Sequence, residues 1–213
     1  MKKIILILLI SSSCTAQNPI INIYNKPNYQ GRTSNAYYKD LDNFQNQFIG
    51  TWIFENGMEK LEIRFRKREM MFSPGGVEYY EDVLVGEYKY INPEGVEKVN
   101  SLLNLNLNHV SRFDYNLHSI TQLDNYGFAP QCPECPPGTK RMYMSFDEPA
   151  NDDSGLKAAL ILRKVVENGV EKIIAQLEHI KAHNGRSKED IYSPSTFRDF
   201  SVPYGFYTLI KQP

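Results

Sequence analysis

The chain has 213 residues, with 24 Lys and Arg against 25 Asp and Glu, for a formal charge of −1. That balance offers no basic excess to attract phosphates and argues against a nucleic-acid partner. The length suits one domain with a sizeable core.

Met1-Lys2-Lys3, the apolar run Ile4 to Ile10 and the small residues that follow read as a secretory signal peptide over 1–16. The run is too short for a transmembrane span, which takes about 20 residues. Cleavage after Ala16 competes with cleavage before Cys14, which would give an outer-membrane lipoprotein acylated on that cysteine. Ser11 stands where lipoprotein signals carry a larger aliphatic residue, so cleavage after Ala16 is favoured. The protein is then exported, periplasmic or secreted. Loss of Lys2 and Lys3 takes the formal charge from −1 to −3, and Cys132 and Cys135 remain as an even pair in an oxidising medium.

Residues 17–47 are polar, with Pro19 and Pro27 as breakers, and read as an arm that is partly extended and partly loose. Asn35-Ala36-Tyr37-Tyr38-Lys39-Asp40 is the arm's distinctive patch. The domain proper, 48–213, begins where a period-2 pattern sets in. Gly50 to Asn56 reads as a strand closed by an Asn56-Gly57 turn. Leu61, Ile63 and Phe65 then alternate with Glu62, Arg64 and Arg66 as a half-buried strand. After Pro74-Gly75-Gly76, Val77 to Ile91 reads as a long strand bent near Gly86.

Val96 to Leu107 fits a helical period in part and alternates in part, and is expected to be a strand after a short irregular start. Ser119 to Leu123 and Lys140 to Phe146 read as strands on either side of the Pro/Gly-rich loop Tyr126 to Thr139. Leu156 to Val166 and Val170 to Ile180 form the clearest hairpin, closed by Glu167-Asn168-Gly169. The loop His183 to Asp199 precedes a last strand, Tyr204 to Lys211. Leu160-Ile161-Leu162 is apolar on both faces, so the arm or the His183 to Asp199 loop is expected to cover it. The sum is an all-β chain: a single antiparallel up-and-down barrel of roughly eight strands, closed so that no edge is exposed.

The lone tryptophan sits at the head of the first strand, in Phe48-Ile49-Gly50-Thr51-Trp52. This pattern resembles the Gly-x-Trp signature of lipocalin-like (calycin) barrels. The resemblance implies that Gly50 and Trp52 close one barrel end and that a basic residue of the last strand stacks over the indole. Lys211 is the candidate, where an Arg is usual. Together with the Asn35 to Asp40 patch, the Glu167-Asn168-Gly169 hairpin and Val202-Pro203-Tyr204, the chain resembles an uncharacterised family of small secreted Bacteroidota proteins. That resemblance implies a fold and a cellular context but no catalytic residues.

Cys132-Pro133-Glu134-Cys135 has three readings: a local disulfide, half of a metal site, or a redox pair. The following Pro136-Pro137-Gly138 makes a poor helix, and redox cysteines use a helix N-terminus; no second cysteine pair completes a zinc site. The disulfide reading is favoured. His179 and His183 lack the neighbouring Glu of a zinc protease, and Asn151-Asp152-Asp153-Ser154-Gly155 lacks the alternation of a calcium loop. No metal or cofactor site and no catalytic motif is therefore expected. Arg64, Arg66 and Arg68 share an outer face, with Lys67 turned the other way; they form a solvated face or contact acidic polysaccharide or lipid head groups.

Two functions follow. In the first, the barrel binds a small apolar or amphipathic ligand, with Leu61, Ile63, Phe65, Tyr88 and Tyr90 lining the lumen. In the second, the barrel is filled, and the protein is a non-catalytic module that contacts an envelope or extracellular partner. An enzyme is the third and weakest reading.

Overall fold

The computed structural model describes residues 18–24, 30–124, 130–151, 156–180 and 199–213. In chain order its strands are β1 (Ile20–Asn22), β2 (Tyr37–Lys39), β3 (Gly50–Asn56), β4 (Glu59–Ser73), β5 (Tyr79–Ile91), β6 (Glu97–Asn100), β7 (Leu117–Leu123), β8 (Arg141–Phe146), β9 (Lys157–Glu167), β10 (Val170–Ile180) and β11 (Gly205–Lys211). Short 3-10 turns occupy Gln45–Phe48, Leu102–Asn106 and Arg112–Asp114. The expected signal peptide with Cys14, part of the Tyr126 to Thr139 loop, most of the His183 to Asp199 loop and residues 152–155 of the polar turn lie outside the described residues.

Eight strands close a barrel. β3, β4, β5, β7, β8, β9, β10 and β11 pair in that circular order, every pair antiparallel. β5 holds the closure together. One of its edges pairs with β4, and the other pairs with β2 at Tyr80 and Glu81, β7 at Val85 and Gly86, and β6 from Lys89 to Ile91. Between these pairings, Leu84 N and Tyr88 N donate to the side chains of Ser119 and Ser101.

Period-2 alternation decides what faces the lumen. Leu61, Ile63 and Phe65 on β4 are buried while Arg64 and Arg66 between and beyond them are exposed. The inward sets of all eight strands merge into one cluster that includes Trp52, Leu84, Leu117, Met144, Leu160 and Leu209.

The arm is extended where it is described: β1 runs parallel to β2, and β2 parallel to β5, so it extends the barrel's own sheet. Two expectations need correction. Gly86 marks no bulge, since it pairs regularly with Phe65; the register shift lies between Arg68 and Met71. Gly86 is required by packing, because a Cβ there would stand 2.6 Å from Phe65 Cδ1 and 3.1 Å from Arg64 O. Val96 to Leu107 is a strand only over β6 and then a 3-10 turn, because Leu105 turns down onto Val83 and Val85 and breaks the alternation.

On the outward side of β9, the disulfide loop reaches Arg163, which pairs with Glu134 at 3.6 Å, and Arg141 donates to the carbonyls of Asp124 and Pro130. The described part of the arm lies on β5, and the His183 to Asp199 loop expected as the other cover lies almost wholly outside the described residues.

Candidate functional site

The lumen is the natural place to look for a site, and its residues are known one by one. Leu61, Ile63, Phe65, Tyr88 and Tyr90 all point inward, and none is more than 3 % exposed. They belong to one buried cluster with side chains of the other barrel strands. The Tyr88 ring lies 4.8 Å from Phe146, and its hydroxyl donates to Asp147 O at 3.1 Å. The Tyr90 hydroxyl donates to Glu59 Oε1 at 2.8 Å. Burial pushes both phenols well above their ordinary pKa. Both of these hydroxyls therefore have a protein partner, as an apolar interior demands.

The end where the arm enters β3 is closed from sequence-local pieces. Gly50 has φ +122°, a conformation that side chains resist, and this turns the chain from the Gln45–Phe48 turn into β3. A Cβ there would meet only Lys211 Cε, at an ordinary 3.7 Å, so backbone angle, not close approach, is what requires glycine. Trp52 is fully buried and its Nε1–H donates to Phe48 O at 2.7 Å. Lys211 Nζ stands 5.6 Å from the indole centroid, within cation–π range. It also meets Glu171 Oε2 at 2.6 Å, while Lys164 reaches Glu171 from the neighbouring strand. Hydrogen bonds from the two lysines hold the Glu171 carboxyl down to about 2.

Above this lies a polar network that sequence reading missed. The buried Asp40 carboxylate accepts from Phe44 N at 2.9 Å and Gln45 N at 2.8 Å, which fastens the 3-10 turn. Asp82, also buried, accepts from Asp40 N at 3.0 Å and from the Tyr37 hydroxyl, and Gln45 Nε2 donates to Asp82 O. Lys67 Nζ lies 3.5 Å from Asp40 and 3.2 Å from Asp82. Lys67 thus turns inward, opposite to the arginines on either side, to neutralise two carboxylates. The one available signal was that inversion: a lysine at an inward position of a strand whose other inward residues are apolar.

The far end is closed by Phe200 and Val202. Phe200 packs against Phe146 at 5.6 Å, and Glu148 accepts from Ser201 N at 2.8 Å and Ser201 Oγ at 2.7 Å. Cys132 and Cys135 are disulfide-bonded with a Cα–Cα distance of 5.2 Å, both half-cystines buried. The carboxylate of Glu134 lies beside them, but both sulfurs are committed to each other. His179 is exposed against Tyr204 at 5.9 Å, and His183 lies outside the described residues. On the outer wall, a cleft of about 640 Å³ is bounded by Leu123, Pro130, Tyr143, Ala159, Glu178 and Ile180, among others.

These features define a closed eight-stranded antiparallel barrel protein with an apolar buried cluster in its lumen and two dissimilar ends. The chain belongs to a family of unknown function, DUF6705, whose model matches residues 1–212. No curated protein and no solved structure matches it. No helix among the described residues is long and apolar enough to cross a membrane.

Proposed function

We propose that this protein is an exported, non-catalytic barrel scaffold that acts through its outer surface toward an envelope or extracellular partner. One observation carries this reading: the lumen side chains Leu61, Ile63, Phe65, Tyr88 and Tyr90 are buried against each other, in a single cluster that runs across the barrel. Ligand pockets of drug-sized molecules take roughly 300–1,000 Å³, and these residues leave no such space among themselves. Export is supported by the leader pattern of residues 1–16 and by the Cys132–Cys135 disulfide, which persists in oxidising compartments. The Gly50-Thr51-Trp52 segment and the stacked Lys211 agree with the lipocalin-like resemblance, here with structural roles.

Native mass spectrometry of protein purified from its own host tests the proposal. The expected mass is that of the polypeptide from Gln17 with one disulfide; a stoichiometric small molecule that co-purifies and is released only on unfolding would reverse it. An acyl group on Cys14 would replace a free exported form by an anchored one.

A second reading, a small amphipathic ligand held outside the lumen, draws on the cleft of about 640 Å³ beside Tyr143 and Glu178. Tyr143→Ala should abolish co-purification of such a ligand, whereas Ile63→Val in the lumen should not.

A further inference from the structure

The outer face of β5 carries a carboxylate whose hydrogen bonds hold amides in place. Glu87 is fully buried. Its Oε1 accepts from Asn104 Nδ2 at 2.7 Å and from Asn116 N at 3.1 Å, and its Oε2 accepts from Asn116 Nδ2 at 2.6 Å. Asn104 is committed on every side: its Nδ2 also donates to Asp114 O at 3.0 Å, and its Oδ1 meets His109 Nε2 at 2.8 Å. Burying a carboxylate against neutral donors costs free energy. What the arrangement secures is a fixed orientation for two amide side chains.

Those two amides line a pocket of about 420 Å³ together with Asn100, Leu103, Asp114 and Pro149. The end of β6, the turn after it, the approach to β7 and the turn after β8 all converge here. Asp147 N donates to Asn116 O at 2.8 Å, which ties the Pro149 side to the rest. The lining keeps hydrogen-bonding capacity to spare. Asn100 and Asn116 each give one N–H to a glutamate, Glu97 and Glu87, and neither Oδ1 has a partner among the described residues. The Asp114 carboxylate is exposed, 4.0 Å from His109.

This donor set selects its ligand. No Lys or Arg lines the pocket, and Asp114 and Glu87 repel an anion. A cation would find one free carboxylate and no aromatic face, and among the described residues no three His, Asp or Glu side chains converge there. An apolar ligand would strip water from the amides and replace none of their hydrogen bonds. A neutral sugar meets every group. Each hydroxyl both donates and accepts, and an amide sets a carbonyl acceptor beside an N–H donor. Leu103 and Pro149, both exposed, give the C–H face of a ring an apolar seat. The volume lies within the roughly 300–1,000 Å³ of small-ligand pockets, and side chains held in advance lose little freedom on binding.

We propose that the Asn100–Asn116 pocket binds a neutral saccharide unit of an envelope or extracellular glycan. This rests on the reading that the protein works through its outside, and it supplies the partner. The test is an NMR titration of the nitrogen-labelled exported protein with neutral gluco-, manno- and xylo-oligosaccharides, with an oligogalacturonate as the anionic control. At millimolar sugar the side-chain amide signals of Asn100 and Asn116 are expected to shift, while those of Asn43 and Asn46 at the arm end stay still. Asn100→Ala should weaken binding by up to about ten-fold, and Asp114→Ala, which removes a charged acceptor, on the order of ten- to a hundred-fold. Both side chains are exposed, so these variants keep the fold.

Unmoved signals with every neutral sugar overturn the proposal, as does tighter binding of the galacturonate. Equal shifts with a blocked trialanine peptide would overturn it in favour of peptide recognition. A co-purifying lumen ligand would instead defeat the filled-barrel reading and leave the titration untouched.

Discussion

The two ends of the barrel are closed by opposite means. At the arm end, the carboxylates of Asp40 and Asp82 are withdrawn from water and met by Lys67, by Tyr37 and by backbone donors, while Gln45 donates to Asp82 O and leaves its own Oε1 without a partner. At the far end, Phe200 and Val202 fill the opening, and one carboxylate, Glu148, pins the backbone between them. Burying two carboxylates and an ammonium carries a desolvation cost that only a complete set of partners offsets. An aromatic plug stabilises in proportion to the apolar area it covers. The polar end is therefore specific and intolerant of losing any one member, whereas the apolar end responds in proportion to the volume removed.

The largest expected effect is at the arm end. Lys67→Met leaves two buried carboxylates facing each other and should cost about 3–5 kcal/mol in urea unfolding. Adding Asp82→Asn should recover part of that loss. If Lys67→Met costs under about 1 kcal/mol, the network is solvated and the contrast between the ends disappears. At the far end, Phe200→Ala should cost about 3 kcal/mol and Phe200→Leu about 1 kcal/mol. An all-or-none response there would show that the apolar plug is as cooperative as the polar one.

His118, on the outer face of β7, asks whether acid acts only at the arm end. Burial first, and then the Arg112 guanidinium, holds its imidazole down from 6.5 to about 4. The folded protein keeps it neutral while the unfolded chain takes a proton below pH 6.5. Stability is thus whole above pH 6.5 and declines as the pH falls toward 4, by up to about 3 kcal/mol. His118→Gln should flatten unfolding midpoints across that window and leave those at pH 7 higher than those of Lys67→Met.

The smallest effect belongs to Glu171. Its folded pKa is depressed to about 2, so its contribution is present above 4.5 and lost as the pH falls from 4.5 to 2. The group is solvent-exposed, so Glu171→Gln should barely shift the urea midpoint, and added salt should erase the shift. A large, salt-resistant shift would mean that the Lys164–Glu171–Lys211 triad closes the end as firmly as the Asp40–Lys67–Asp82 network does.

Much of this was legible from the chain. The alternation of Leu61, Ile63 and Phe65 with Glu62, Arg64 and Arg66 assigns inside and outside without coordinates, and the Asn168-Gly169 turn fixes the β9–β10 register. Gly50 and Trp52 marked the barrel's start, and Lys211 stacks on the indole as the lipocalin-like resemblance implied. The arm patch Asn35 to Asp40 stood out, though not its reason: Tyr37 and Asp40 meet Asp82, more than forty positions away. Nor did Leu103, Leu105 and Leu107 reveal that Leu105 alone would turn inward, because the surface it covers, Val83 and Val85, belongs to another strand.

Strand identity, sidedness and the hairpin turns thus follow from residues within a few positions of one another, since period-2 alternation and turn chemistry are local. Whether the lumen is open or packed, what neutralises Lys67, and which segment reaches the outward side of β9 depend on closure and register among strands far apart in the chain. Those are set by the summed packing of all eight strands, to which each short stretch contributes only its own face.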